Sequence, residues 1–331
     1  MKLTFNSAKD IFFIGWFGAV IAILGFFAQS VFQLKETNDL LWLFLVVGVD
    51  VSHVYSTLYK TYFKTNRSRQ LNFLLITLPI ISFFIILFLV KIDIHFFWRC
   101  LAYMAVFHFS RQQIGMYQIT SGAEKNRLHT LNRLCIYFWT LGSILLWHLK
   151  GPQEYNWFVK DDFYYLTGFQ HYSDILKIGL LISFSVVCSL NIYFLKKNRI
   201  TFLQLGLLFS TFLTWFVPVA YFDSDFIFTW TNILAHGVPY MYLVHKNEQQ
   251  SRSYYSRWDI FILIILICSL VEEAFWDALV WREHAVFFSS FYFIPQIQSQ
   301  NVLPVVLALL VTPQLTHYLL DGFIWKKKYW L

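Results

Sequence analysis

Four histidines lie inside apolar runs of this chain, in VGVDVSHVYSTLY, FHFSRQQIG, NILAHGVPY and THYLLDGFIW: His53, His108, His236 and His317. Each has polar residues at helical spacing, where side chains three or four apart share a face. Asp50 precedes His53 by three positions and Thr57 follows it by four. Arg111 and Gln112 follow His108 by three and four, and Gly115 permits close approach there. Tyr240 follows His236 by four, and Asp321 follows His317 by four. Pro239 is expected to disturb the helix beside His236 and to free backbone carbonyls. A metal-bound imidazole usually gives its second N–H to a carboxylate or carbonyl. Asp50 and Asp321 are spaced for that role, or for ligation itself.

The candidate metal ligands are therefore His53, His108, His236, His317, Asp50 and Asp321. Tyr240, Arg111 and Gln112 are the candidate catalytic residues. Tyr240 could donate a proton, and Arg111 offers a charge to a lipid headgroup or an anionic intermediate. Imidazole with carboxylate suits iron, zinc or manganese. Iron is the leading expectation, because a non-haem iron site activates oxygen beside an aliphatic or polyene substrate that stays in the bilayer. The expected partners are a membrane lipid or isoprenoid as substrate and an electron donor from the cytosol.

The elements that must position these residues are membrane helices. The chain has 331 residues, 57% hydrophobic and only 14% charged, against about a quarter charged in soluble domains. Apolar runs long enough to span a hydrocarbon core of about 30 Å recur from end to end. Ten spans are expected, near 10–33, 40–61, 70–91, 95–117, 131–149, 175–195, 200–220, 226–245, 258–280 and 301–323. Every second connection is basic, beginning with Lys2 and Lys9 before the first span. The others carry Lys60, Lys64, Arg67 and Arg69, then Lys125, Arg127 and Arg133, then Lys196, Lys197 and Arg199. Lys246, Arg252 and Arg257 follow the eighth span, and Lys326, Lys327 and Lys328 follow the tenth. Basic residues gather on the cytoplasmic side, so both termini are expected there, in a bacterial inner membrane. The first run, Ile11 to Phe32, is long and has no small-residue cleavage site, so it reads as a retained span. The fold class is all-α, a polytopic transmembrane bundle forming one integral membrane domain over 1–331.

The four histidines all fall on even-numbered spans, which run from outside to inside in this topology. His53 precedes Lys60 by seven positions, His236 precedes His245 by nine and His317 precedes Lys326 by nine. At 1.5 Å per residue, all four lie roughly 10–15 Å inside the cytoplasmic boundary. Ionisable residues at such depth are costly and mark function. The other histidines need less explanation. His95, His148, His171 and His284 fall at the outer interface, His129 in a cytoplasmic loop, and His245 at the end of the eighth span. The loop 150–174, rich in Trp and Tyr, is expected against the outer interface. Residues 282–300 look similar. Glu272, Glu273 and Asp277 read as interfacial, with a second polar site as the alternative. Phe and Trp read as packing.

The net charge of +7 belongs to the alternating loops and implies no nucleic acid. Four scattered cysteines without a CxxC pair support neither a disulfide framework nor a zinc ribbon. Two other classes compete. Four histidines could hold two b-type haems of an electron-transfer protein, although one common level disfavours that. Asp50, His53, His317 and Asp321 could instead form the proton relay of a transporter.

DVSHVYSTLY, FHFSRQQIG, HGVPYMYLVHKN and THYLLDGFIWK resemble recurrent motifs of uncharacterised bacterial polytopic membrane proteins. In kind the chain is similar to membrane iron enzymes with histidine motifs, the fatty-acid desaturases and hydroxylases or the carotene-cleaving oxygenases of the Brp/Blh type. Such a likeness implies iron and an oxygenase activity. The chain has no HxxxH and no HxxHH cluster, so the desaturase ligand set does not carry over. With the carotene-cleaving enzymes it shares single histidines spread over several helices.

Overall fold

The computed structural model of the chain describes residues 4–34, 36–64, 66–121, 126–249 and 257–326. Among them the structure is helical throughout, without a strand, and ten long helices follow the expected segments in order. They are α1 Ala8–Phe32, α2 Asp39–Lys60, α3 Arg69–Ile92, α4 Ile94–Ser121 and α5 Arg127–Lys150. Then come α6 Ser173–Lys196, α7 Phe202–Tyr221, α8 Asp225–Gln249, α9 Trp258–Trp276 and α10 Leu303–Ile324. Of the basic residues used above for topology, Lys2, Lys125, Arg252, Lys327 and Lys328 lie outside the described residues.

Six helices (α1, α2, α3, α6, α7 and α10) are long and apolar enough to cross a membrane. Of the other four, α4 and α8 carry candidate site residues. α4 includes Arg99, His108, Arg111, Gln112 and Gln113, and α9 includes Asp259, Glu272 and Glu273. Apolar exposure has the pattern lipid requires. Phe73, Ile76, Ile80, Phe84 and Phe88 of α3 stand exposed in one stripe, as do Ile175, Ile178, Ile182 and Val186 of α6. In water such a stripe would drive aggregation. The chain is a membrane protein.

Local sequence sets the helix starts. The side chains of Asn38, Ser68 and Asn126 accept the amide N–H of Leu41, Leu71 and His129. Ser7 with Asp10, and Thr201 with Gln204, close reciprocal capping boxes. These are the side chains that best satisfy the orphan donors of a first turn. The α5 cap corrects one expectation. His129 is no loop residue but lies in the first turn of α5, buried, with its Nδ1 2.9 Å from Tyr117 Oη. α8 continues through Pro239.

The chain divides into two compact units, one of residues 1–37 and 102–242, the other of 38–101 and 243–331. In the first, α7 is almost wholly buried against α1, α5 and α6. Small residues let α1 and α7 approach. A Cβ on Gly206 would stand 2.6 Å from the Trp16 ring, and one on Gly15 2.8 Å from the Leu203 carbonyl oxygen. Ser210 Oγ donates to the Gly15 carbonyl at 2.7 Å and accepts Ala19 N–H at 2.9 Å. Close backbones joined by hydroxyl bonds are the usual means of helix association in lipid, where apolar burial gives no drive. Asn132 and Asn191 add a reciprocal amide pair at 2.7 and 2.8 Å.

The loop 150–174 is partly buried. Tyr155 and Phe163 are buried, packed against Trp147, while Tyr164, Phe169 and Tyr172 are exposed. Asp162 organises it by accepting N–H bonds from Trp157, Phe158 and Val159. Burial pushes the Asp162 carboxyl above its ordinary pKa, and those donors pull it back. In the second unit α10 packs along α3 through Leu71, Leu75, Leu320 and Ile324, and α2 packs on α9.

Candidate metal centre

His53 follows an unusual piece of helix. Residues Leu43–Val51 of α2 form π-helical turns, rare geometry that recurs at functional sites. Ser52 Oγ closes the segment by donating to the Val47 carbonyl at 2.8 Å and meets Ser269 Oγ of α9 at 2.9 Å. Beyond that anchor, α-helix resumes and His53 is buried, with Nδ1 3.5 Å from Asp50 Oδ1. In the same unit His317 of α10 meets His53 with ring centroids 4.9 Å apart and planes 80° apart. Thr57, one turn after His53, lies 2.7 Å from His317 Nδ1 through its Oγ1. With Nδ1 so engaged, Nε2 is the nitrogen His317 has to offer.

The other unit holds a second pair of similar geometry. His108 of α4 and His236 of α8 have ring centroids 5.0 Å apart and planes at 75°. Phe109 stacks on His236 at 3.5 Å and 6°. Gln112 Nε2 donates to the His236 carbonyl at 2.9 Å, one turn before Pro239. Proline has no N–H for the helix ladder, so a side-chain donor beside it supports a weakened stretch.

All four histidines are buried, and one ring nitrogen from each lies within 4.8 Å of the other three. Four buried His close together could therefore hold a metal ion.

The remaining candidates are placed as follows. Asp50 lies beside His53, as its spacing implied. Asp321 Oδ1 accepts the Trp325 indole N–H at 2.7 Å, and Asp321 is not one of the four clustered groups. Arg111 is exposed on α4 and donates to Tyr137 Oη at 2.8 Å. Tyr240 is buried one turn beyond His236. Glu272, Glu273 and Asp277 are held within the helix bundle. Tyr55 Oη donates to Glu272 Oε2 at 2.5 Å, and Glu273 is buried. Buried Asp277 accepts Tyr292 O–H at 2.6 Å and the N–H groups of Glu283 and His284.

Sequence reasoning missed Asn232, buried one turn before His236, and the seryl contact Ser52–Ser269. An asparagine four residues from a histidine inside an apolar run was the available signal for the first. The chain is a helical membrane protein with four buried histidines that could hold a metal ion. No protein-family model, curated protein or solved structure matches the chain.

Proposed function

We propose that the chain is a metal-dependent membrane oxidoreductase, with non-haem iron at the histidine centre and a lipid or isoprenoid as substrate. The single observation that carries this reading is the approach of four buried imidazole nitrogens to within 4.8 Å of one another. Imidazole sets suit iron, zinc and copper. When bound, a redox-active ion would supply oxidation of a C–H or C=C bond using dioxygen and electrons from a cytosolic donor. The chain's own residues supply the rest. Asp50 offers negative charge to a dication held by neutral rings, Thr57 holds the His317 ring, and Phe109 fixes the His236 plane. Tyr240 is proposed as a proton donor and Gln112 as a polar contact to substrate.

The proposed setting is the bacterial cytoplasmic membrane, crossed ten times by one domain with both termini inside. Agreement between the ten long helices and the alternation of basic loops supports it. Two haems suit the site poorly, because four nitrogens this close cannot serve separate macrocycles. A second reading has its own observation. Asp50, Glu272 with Tyr55, buried Glu273 and Asp277 are spread through the unit that holds His53 and His317, as a proton-coupled transporter would need.

Metal analysis of detergent-purified protein, with an optical spectrum, tests the proposal. One iron per chain without a haem band is expected. A metal-free protein that moves protons in vesicles would replace the enzyme with the transporter.

A further inference from the structure

Beside the histidines of the first unit, two amide oxygens are buried without a hydrogen-bond donor: Gln112 Oε1 and Asn232 Oδ1. Gln112 is 4% exposed and Asn232 5%. Their orientations are fixed by their other halves. Gln112 Nε2 donates to the His236 carbonyl at 2.9 Å, and Asn232 Nδ2 to the Phe228 carbonyl at 3.0 Å. Flipping either amide would set oxygen against oxygen, so the acceptors must stay where they are. Each sits one helical turn from a histidine, Gln112 four residues after His108 and Asn232 four residues before His236. Helical residues four apart share a face.

A buried acceptor without a donor is destabilising, and native proteins rarely keep one without a use. Two on the histidine-bearing helices α4 and α8 point to a ligand that brings the donors. We propose that Gln112 and Asn232 bind hydroxyl groups of the substrate, which makes that substrate a hydroxyl-bearing lipid or isoprenoid rather than a pure hydrocarbon. No Asp or Glu occurs between 102 and 121 or between 226 and 242, so the helical stretches that carry these amides offer no carboxylate to an ammonium group. The neighbouring rings, Phe109 on His236 and Trp157 5.1 Å from Phe109, suit the apolar body of such a molecule.

The inference rests on the enzyme reading for its substrate but can be tested apart from it. The purified full chain is titrated with 1-hexadecanol and with its methyl ether, which differ in one donor. The wild type is expected to bind the alcohol about 10-fold more tightly. In Asn232→Leu and Gln112→Met, and in the double variant, the ratio should fall toward one. Only variants whose thermal unfolding matches wild type are compared, and the wild-type ratio is decisive by itself if a variant is not recovered. Equal binding of the two probes by wild type would show water filling the role and overturn the proposal. So would a ratio that survives in the variants. Metal content measured on the same samples separates the two ideas. A metal-bearing wild type without alcohol preference sinks this inference alone, whereas a wild type that shows the preference without metal sinks the enzyme reading.

Discussion

The two histidine pairs have nearly the same geometry and very different surroundings. His53 and His317 sit in a unit supplied with acids and hydroxyls. Asp50 is 3.5 Å from His53, Thr57 is 2.7 Å from His317, and Tyr55 bonds Glu272. His108 and His236 sit among aromatic rings and amides, with Phe109 stacked, Gln112 on a carbonyl and Asn232 one turn away. A cation held by neutral imidazoles in lipid needs compensating charge, and only the first pair has it to hand. The second pair has instead what an organic molecule would recognise. On the proposed reading, the first pair sets the charge of the centre and the second shapes the substrate side.

Substitutions can break or sharpen that comparison. Removing a ring from either pair should have the largest effect: His317→Ala and His108→Ala should each abolish metal retention through purification while the protein still inserts. A variant from one pair that kept full metal would show that this pair is no ligand. Asp50→Asn should come next, weakening metal affinity about 10–100-fold, the usual cost of removing a carboxylate behind a ligating histidine. Gln112→Met should change affinity far less, and an equal loss would erase the proposed division. Thr57→Val removes one hydrogen bond worth about 1 kcal/mol, or about 5-fold in metal affinity. Gly206→Ala lies in the α1–α7 packing and should lower stability by about 1–3 kcal/mol through its clash with Trp16, as overpacking does. Metal per folded chain should not move, as thermal unfolding and elemental analysis on one preparation would show.

Much of this was legible in the sequence, for identifiable reasons. Length and apolarity located the helices, and the caps at Asn38, Ser68, Asn126 and Thr201 follow local rules. The four histidines could be grouped because imidazoles are scarce in apolar runs and equal helical depth is a simple count. What sequence could not show depends on competition or distance. Asp321 lies one turn from both His317 and Trp325, and in the structure it accepts the indole N–H. Spacing to the histidine does not announce that indole partner. Arg111 shares helical spacing with His108, yet its guanidinium is exposed and bonds Tyr137. The Asn132–Asn191 pair joins residues 59 apart, and no local pattern announces it. The π-helical turns before His53 have no distinct sequence signature, although they precede the residue that matters most in α2.

X-ray absorption at the metal edge of protein purified after growth in iron, zinc and manganese tests the centre most directly. Four histidine nitrogens at about 2.0–2.2 Å around one ion per chain, falling to three in a His→Ala variant that retains any metal, is the predicted result. No bound ion, or an ion with fewer than two histidine nitrogens, would contradict it.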